Sequence, residues 1–225
     1  MSEKRIIVAI DGPAGAGKST LAKRIAERLG FVHINTGAIY RAVALWALRL
    51  NVSLEDMYRL EQLAKEARIQ LTGGRVLLNG EDVTDEIREP RVSQAASRVS
   101  MVPGVRQALL SVQRGMAEES SVVMEGRDIG SVVFPEAQVK IFLDAEPAER
   151  ARRRALELQE QRDFTAIAGE MQARDERDRR RAEAPLVQAP DAELIDTTGL
   201  SLEQVEEAVL RVVRARTSNG RAAGH

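Results

Sequence analysis

The sequence predicts an α/β fold in three layers, with a mostly parallel sheet of five strands and helices on both of its faces. Short β-branched runs alternate along the chain with longer segments in which apolar residues recur at helical spacing. The chain of 225 residues is also long enough to bury a core of this size. Ligands of such sheets bind beyond the carboxyl ends of the strands, so functional residues are expected there.

The first part of the chain is predicted to contain two short strands and three helices. Turn residues 11–13 end a β-branched run, and Gly30 ends the first segment of helical periodicity. The predicted order is strand, helix, strand, helix, helix, over residues 5–10, 19–29, 31–34, about 38–50 and 54–67.

A small antiparallel sheet is predicted to follow, over residues of about 68–84. Gly73-Gly74 and Asn79-Gly80 are tight-turn signals, and they separate three short strand-like runs. This pattern predicts a three-stranded β meander inserted into the α/β chain. Two helices that each begin near a proline come next, over residues 90–100 and 103–117.

The last part of the chain is predicted to return to alternating strands and helices. An arginine-rich helical region spans about residues 147–181 and is interrupted near Arg162 and Asp163. Ser201 and Gln204 form a capping-box pattern at the start of the final helix. The strands are predicted over residues 122–124, 139–143 and 193–196, and a disordered tail over 217–225.

The composition excludes several classes of protein. The formal net charge of −1 gives no overall basic excess for binding nucleic acid or a membrane surface. Because the chain has no cysteine, it cannot form disulfides, iron–sulfur clusters or thiolate zinc sites, and a metal would need oxygen ligands. No apolar run has the length of a signal peptide or a membrane helix, so we expect a soluble cytoplasmic protein.

Residues 12–19 match the phosphate-binding pattern G-x-x-x-x-G-K-[ST], between a predicted strand and a predicted helix as that pattern requires. Glycines allow the backbone to curl so that its N–H groups point at phosphate oxygens. Lys18 is predicted to reach the β- and γ-phosphates, and the Ser19 hydroxyl to ligate Mg²⁺. The predicted ATP-binding residues are Gly12, Pro13, Ala14, Gly15, Ala16, Gly17, Lys18, Ser19 and Thr20.

A phosphate loop alone is compatible with kinases, GTPases and motor ATPases. No asparagine is followed by lysine, so the base-reading N-K-x-D pattern of GTPases is missing from the sequence. Phosphoryl transfer to a small acceptor and ATP hydrolysis coupled to movement therefore remain.

An anionic acceptor beside ATP needs several cations. Arg41 and Arg127 follow predicted strands, whereas the arginines of 146–185 are matched by acidic residues and suit a solvated helix equally well.

Longer motifs resemble the bacterial cytidylate kinase (CMP kinase) family over nearly the whole chain, from Ile7 to about Val212. In the family's order they are IDGPAGAGKST, NTGAIYRAVAL, NGEDVTDEIR, EGRDIGSVVFP, KIFLDA and RDERDRRRAEAPL. The segment around Arg127 and the run from Arg174 to Leu186 are more specific than the phosphate loop. The resemblance implies a P-loop NTPase fold with a β insert in the monophosphate-binding domain and a short helical lid.

The resemblance also implies an activity, the ATP-dependent phosphorylation of CMP and dCMP by direct in-line transfer with Mg²⁺. It implies that Thr36, Tyr40, Arg41, Arg127 and Arg181 surround the CMP phosphate. The base would be bound by Ser97, Arg106 and Asp128, and the sugar by Arg174 and Asp178. The residues expected to act in catalysis are Lys18, Arg127, Arg174 and Arg181.

The chain departs from the family's pattern at two positions. Asn35 stands where the family usually has Asp, and Glu125 stands where it usually has Asp before Gly-Arg-Asp. Glu125 ends a hydrophobic predicted strand, so it is the candidate for the carboxylate that orders the water shell of Mg²⁺.

The predicted domain organisation follows from the same resemblance. The core comprises residues 1–35, 104–148 and 182–216, the monophosphate-binding domain 36–103, and the lid with its flanking helices 149–181. The segment from about Glu149 to Asp163 is expected to close over bound substrates. A monomer acting on CMP, dCMP and ATP is expected, with no nucleic-acid or membrane partner. The alternatives are a kinase for another small anion, such as a different nucleoside monophosphate or shikimate, and a non-enzymatic P-loop nucleotide switch.

Overall fold

The computed structural model describes residues 5–158 and 163–222. The strands are β1 (Ile7–Asp11), β2 (Val32–Asn35), β3 (Ile69–Thr72), β4 (Arg75–Leu78), β5 (Glu81–Asp82), β6 (Val122–Gly126), β7 (Val139–Asp144) and β8 (Glu193–Asp196). The helices are α1 (Lys18–Leu29), α2 (Thr36–Arg49), α3 (Met57–Glu66), α4 (Pro90–Val99), α5 (Pro103–Gly115), α6 (Pro147–Leu158), α7 (Phe164–Arg179) and α8 (Leu202–Ala222). A 3₁₀ turn over Glu86–Arg88 and a π-helical turn over Ile129–Val133 were not predicted from the sequence.

The main sheet has five strands in the order β2-β6-β1-β7-β8, which confirms the predicted α/β architecture. Strand β1 runs parallel to both of its neighbours, and Asp11 at its end is in register with Gly126 of β6 and Phe142 of β7. Strands β1, β6 and β7 are almost fully buried. The segments that follow β1 and β6 therefore leave the sheet side by side, at its carboxyl edge.

The chain divides into two compact units, Met1–His33 with Ala117–His225, and Ile34–Met116. The sequence analysis assigns residues 104–148 to the core, whereas the structure groups 104–116 with the second unit, in which α5 packs against α3. Gly104 permits this close packing, because a Cβ atom there would lie 2.0 Å from Glu61 Oε2. The described residues of the predicted lid and its flanking helices, 149–158 and 163–181, belong to the first unit.

The second unit combines four helices with the predicted three-stranded meander. Strands β3, β4 and β5 form an antiparallel sheet, in which Ile69 pairs with Leu78 and Leu78 with Glu81. Ile69, Val76 and Leu78 are buried in one core cluster with apolar residues of α2 to α5. The insert thus has a hydrophobic face that the helices cover, as its alternating pattern requires.

Side-chain caps determine where several helices begin. Asn35 Oδ1 accepts a hydrogen bond from the Ala38 N–H at 3.1 Å, so α2 begins earlier than its apolar pattern predicts. Asp56 caps α3 in the same way, through the Arg59 N–H at 2.9 Å. The predicted capping box is present, because Gln204 N–H donates to Ser201 Oγ and Ser201 N–H to Gln204 Oε1.

Two predictions concern segments at the limits of the described chain. Helix α8 extends through Ala222, so residues 217–222 are helical where the sequence analysis predicts a tail. Residues 159–162 of the predicted lid and 223–225 of the predicted tail lie outside the described residues. Among the helices of the described segments, none has both the length and the apolar character needed to cross a membrane.

Candidate functional site

The phosphate loop connects β1 to α1 and has a backbone that glycine alone adopts readily. Gly12 has a φ of +148°, and a Cβ atom there would lie 2.0 Å from the Leu143 carbonyl oxygen of the neighbouring strand β7. Gly17 precedes α1 with a φ of +84°. The loop therefore leaves the middle of the sheet and ends at a helix N-terminus, where backbone N–H groups attract anions.

Lys18 is the first residue of α1 and is buried. Its Nζ atom donates a hydrogen bond to the Pro13 carbonyl oxygen at 2.6 Å, so the side chain folds back over the loop. Burial lowers the pKa of Lys18 well below its ordinary value, and the charges of Arg127 and Arg174 act in the same direction. A bound phosphate group would supply the negative charge that this position favours.

Ser19 and Glu125 form a pair of oxygen donors at the carboxyl edge of the sheet. Ser19 Oγ donates to Glu125 Oε2 at 2.8 Å, and the buried Glu125 lies on β6. His33 Nε2 lies 3.1 Å from the other carboxylate oxygen, a contact that the sequence did not predict. The next predicted ATP-binding residue, Thr20, is exposed in the first turn of α1. Within the described residues, no group of three or more His, Cys, Asp or Glu side chains is placed to hold a metal ion.

A cluster of arginines surrounds Asp178 near the end of α7. Arg127 Nε donates to Asp178 Oδ2 at 2.9 Å, and Arg181 Nη2 donates to the other carboxylate oxygen. Burial alone would raise the pKa of Asp178, but Arg127, Arg181 and Arg174 together hold it below its ordinary value. The structure thus brings four predicted site residues of the first unit together, joining the segment after β6 to α7.

Asp11 is a buried carboxylate at the end of β1 that the sequence analysis did not include in the site. It accepts hydrogen bonds from the N–H groups of Ile129 at 2.8 Å and Gly130 at 2.7 Å. These bonds hold the π-helical turn that begins after Asp128, another buried predicted site residue. Burial raises the pKa of Asp11 from 3.8 to about 6, and the charge of Asp128 adds to this effect.

The raised pKa of Asp11 predicts a measurable dependence of stability on pH. Between about pH 4 and 6 the folded protein binds a proton that the unfolded chain has released, so the Asp11 contribution to unfolding free energy decreases as pH rises. The total change is about 3 kcal/mol. We expect the difference in unfolding free energy between the native protein and Asp11→Asn, from urea titrations, to decrease by this amount between pH 4 and 7. A difference that is constant over this range would contradict the prediction.

The second unit carries the other predicted residues on two of its helices. Thr36, Tyr40 and Arg41 lie in the first turns of α2, where Thr36 and Tyr40 are buried. The Arg41 guanidinium folds back over Gly37, and a Cβ atom at Gly37 would lie 3.1 Å from Arg41 Nη1. Asn35 caps this helix as Asp would, because both side chains are good N-cap acceptors. The departure from the family at Asn35 therefore leaves the start of α2 intact.

Arg106 of α5 connects the remaining predicted residues of the second unit. Its guanidinium lies over the Tyr40 ring at 5.5 Å from the centroid, a cation–π geometry. Its Nη1 atom lies 3.4 Å from the Ser100 carbonyl oxygen, and Ser100 Oγ donates to the Ser97 carbonyl oxygen at 2.9 Å. Ser97, Tyr40 and Arg106 are therefore held in one buried cluster of the second unit.

Comparison with known proteins gives concordant results. The model of the family described as "Cytidylate kinase" matches residues 8–215. A cytidylate kinase of Solibacter usitatus is 59% identical over 224 residues, covering 97% of each chain. One from Caldanaerobacter subterraneus is 50% identical over 213 residues, covering 93% of this chain and 95% of that protein. The crystal structure of a gluconokinase from Sinorhizobium meliloti has a TM-score of 0.52 at 16% identity, covers 98% of each chain and shares the fold.

Proposed function

The chain belongs to the cytidylate kinase family and catalyses the ATP-dependent phosphorylation of CMP, and we propose how its residues divide that work. The observation that carries the proposal is the phosphate loop after β1, with the buried Lys18 at the start of α1. The loop N–H groups would bind the ATP phosphates. The Lys18 ammonium group would leave Pro13 and contact the β- and γ-phosphates.

The CMP-binding residues are proposed for both units. In the first unit, Arg127 and Arg181, held by Asp178, would bind the CMP phosphate. In the second unit, the phosphate-binding residues are proposed from the resemblance alone and are Thr36, Tyr40 and Arg41, at the start of α2. The base would contact Ser97, Arg106 and Asp128, and the sugar Arg174 and Asp178. Arg127 and Arg181 are already fixed by hydrogen bonds, which lowers the entropy cost of placing two guanidinium groups on one phosphate.

The proposed chemistry is a direct in-line transfer from ATP to an oxygen of the CMP phosphate. This oxygen is already anionic, so no side chain has to remove a proton from it. The residues therefore act by holding the two nucleotides in line and by balancing charge as the γ-phosphoryl group moves. Lys18 and the arginines Arg127, Arg174 and Arg181 carry the positive charge that this step requires.

Magnesium is proposed as the metal that accompanies ATP. The oxygen donors Ser19 and Glu125 suit this ion, which takes few protein ligands and retains water molecules. Ser19 would bind it directly, and Glu125 through water. When bound, Mg²⁺ neutralises charge on the phosphate oxygens. The longer side chain of Glu125, compared with the usual Asp, is compatible with this role because its Oε2 atom reaches Ser19 Oγ.

A panel of acceptors tests the proposed substrate class. ADP release is measured with CMP, dCMP, UMP, AMP, GMP and shikimate, each at several concentrations. We expect kcat/KM for CMP to exceed that for UMP by at least about ten-fold, because uracil presents O4 where cytosine presents an amino group. ADP release that is independent of the acceptor would instead indicate a nucleotide switch, and a preference for shikimate another kinase.

The same panel tests the role of Asp128. Asp128→Asn replaces a carboxylate that only accepts hydrogen bonds with an amide that also donates them. Because Asp128 is proposed to accept from the cytosine amino group, we expect this change to lower the ratio of kcat/KM for CMP to kcat/KM for UMP. The control is Gln188→Glu, an exchange between amide and carboxylate at an exposed position. Gln113 is not used for this purpose because it is buried. An unchanged ratio in Asp128→Asn would remove Asp128 from base recognition.

The proposal also covers a second acceptor, closure of the predicted lid, the oligomeric state and the location of the protein. We propose that dCMP is a second acceptor and that the segment from about Glu149 to Asp163, of which residues 159–162 lie outside the description, closes over bound substrates. We also propose a monomer that acts in the cytoplasm, where ATP and CMP are available. Sedimentation equilibrium measures directly whether the protein is a monomer.

A further inference from the structure

Two buried side chains outside the assigned site hold the backbone of the phosphate loop. The Ala14 N–H donates to Asp175 Oδ1 at 3.2 Å, and the Ala14 carbonyl oxygen accepts from Arg150 Nη1 at 3.1 Å. Arg150 also donates to the other Asp175 oxygen and, through Nε, to the Ala145 carbonyl at 2.9 Å. The exposed fractions of Arg150 and Asp175 are only 5% and 2%. A loop residue is thus fixed at both of its backbone polar groups.

The contact at Ala14 extends to Lys18 through a single peptide unit. That unit consists of the Pro13 carbonyl and the Ala14 N–H, which point in opposite directions because the peptide is planar. Its N–H donates to Asp175, and its carbonyl accepts from Lys18 Nζ at 2.6 Å. Asp175 therefore determines which way the carbonyl that holds Lys18 points.

Apolar packing presses the same part of the loop against α6 and α7. Ala14 packs on a small buried cluster of Ala151, Ile167 and Met171. The backbone comes equally close at Gly15, where a Cβ atom would lie 2.7 Å from Met171 Cε and 2.8 Å from the Arg150 carbonyl oxygen. The loop is therefore in contact with both helices along its outer side.

We propose that Arg150 and Asp175 are positioning residues that hold the phosphate loop in its ATP-binding shape. The inference rests on the proposed function, in which loop N–H groups bind the ATP phosphates. Because Ala14 donates to Asp175, the peptide at this point is turned outward, which lets the N–H groups of the next loop residues line the inner side of the curve. A preorganised loop binds phosphate without first losing backbone freedom. A merely structural ion pair between α6 and α7 would affect stability alone.

The test separates stability from ATP affinity. Three variants are compared with the native protein: Asp175→Asn, the double variant Arg150→Met with Asp175→Leu, and the control Glu206→Gln. The control removes a charge from another buried carboxylate, 2.6 Å from Arg24 between α8 and α1 and away from the loop. Calorimetry measures the Kd of a non-hydrolysable ATP analogue and, separately, of CMP, below the melting temperature of every variant.

We expect Asp175→Asn and the double variant to weaken binding of the ATP analogue by at least about ten-fold, with little change for CMP. The double variant leaves no unpaired buried charge, so it is expected to lose less stability than Asp175→Asn while the contacts to Ala14 are lost. Glu206→Gln is expected to lose stability and to keep its affinity for the analogue.

Two results would overturn the proposal. The first is native analogue affinity in the double variant, and the second is an equal loss of affinity in Glu206→Gln and Asp175→Asn, which would trace the effect to stability. Failure of the native protein to phosphorylate CMP would refute the proposed function instead. The binding comparison among the variants would still decide the role of Arg150 and Asp175, because it does not depend on turnover.

Discussion

Lys18→Ala is expected to yield a folded protein that transfers the γ-phosphoryl group of ATP to CMP at least about a hundred-fold more slowly than the native protein. The ammonium group of Lys18 is the cation that the phosphate loop itself supplies at the start of α1. In the proposed function, charge that develops on the transferred group would be balanced there, in a buried position where water does not screen it. The measurement is kcat at saturating ATP and CMP.

Stability and rate are expected to separate in this variant. Removing a buried ammonium whose pKa is lowered by burial relieves an unfavourable charge, so the melting temperature is not expected to fall. Lys23→Ala is the matched control, because Lys23 lies on the same helix with its side chain 69% exposed. A kcat in Lys18→Ala equal to that of Lys23→Ala would remove Lys18 from the mechanism.

The largest loss of stability is expected at Gly12. An alanine there would place its Cβ atom 2.0 Å from the Leu143 carbonyl oxygen, and that oxygen belongs to the backbone of a buried strand. The φ of +148° adds strain for any residue with a side chain. We expect Gly12→Ala to lower the free energy of unfolding by about 3 kcal/mol or more, as measured by urea titration, and to abolish ATP binding.

Gly169→Ala provides the comparison for Gly12→Ala. Gly169 lies within α7, and a Cβ atom there meets no atom within 4 Å. Alanine in a helix interior is favoured over glycine by about 1 kcal/mol, so this variant is expected to be as stable as the native protein or more so. If Gly12→Ala were equally tolerated, β1 and β7 would have to separate at little cost, contrary to the packing described.

The elements of the fold were predictable where the pattern is local. Helical periodicity after Ser19 and the turn signals at Gly73-Gly74 and Asn79-Gly80 led to elements that the structure contains. The phosphate loop was equally visible, since its residues are contiguous in the chain. The start of α2 was placed too late because the capping by Asn35 is a side-chain contact, which apolar spacing does not show.

The contacts that organise the candidate site join residues far apart in sequence. Asp175 is 161 positions from Ala14, and Arg127 is 51 positions from Asp178. Arg150 and Asp175 belong to a segment in which arginines and acids are equally numerous, so composition alone suggested exposed ion pairs. Asp11 was overlooked because a carboxylate at the end of a strand is also common in turns. Only the folded arrangement distinguishes these buried residues from solvated ones.

The position of β1 in the middle of the main sheet has a consequence for how ATP binding is lost on heating. A segment paired on both edges exchanges its amide protons only when the whole domain opens, whereas edge segments fray independently. The phosphate loop follows β1 directly, so partial unfolding is not expected to disrupt the loop while the rest of the first unit stays folded. Loss of ATP binding on heating and loss of the first unit's global structure are therefore expected to coincide, and bound ATP is expected to protect that unit as a whole.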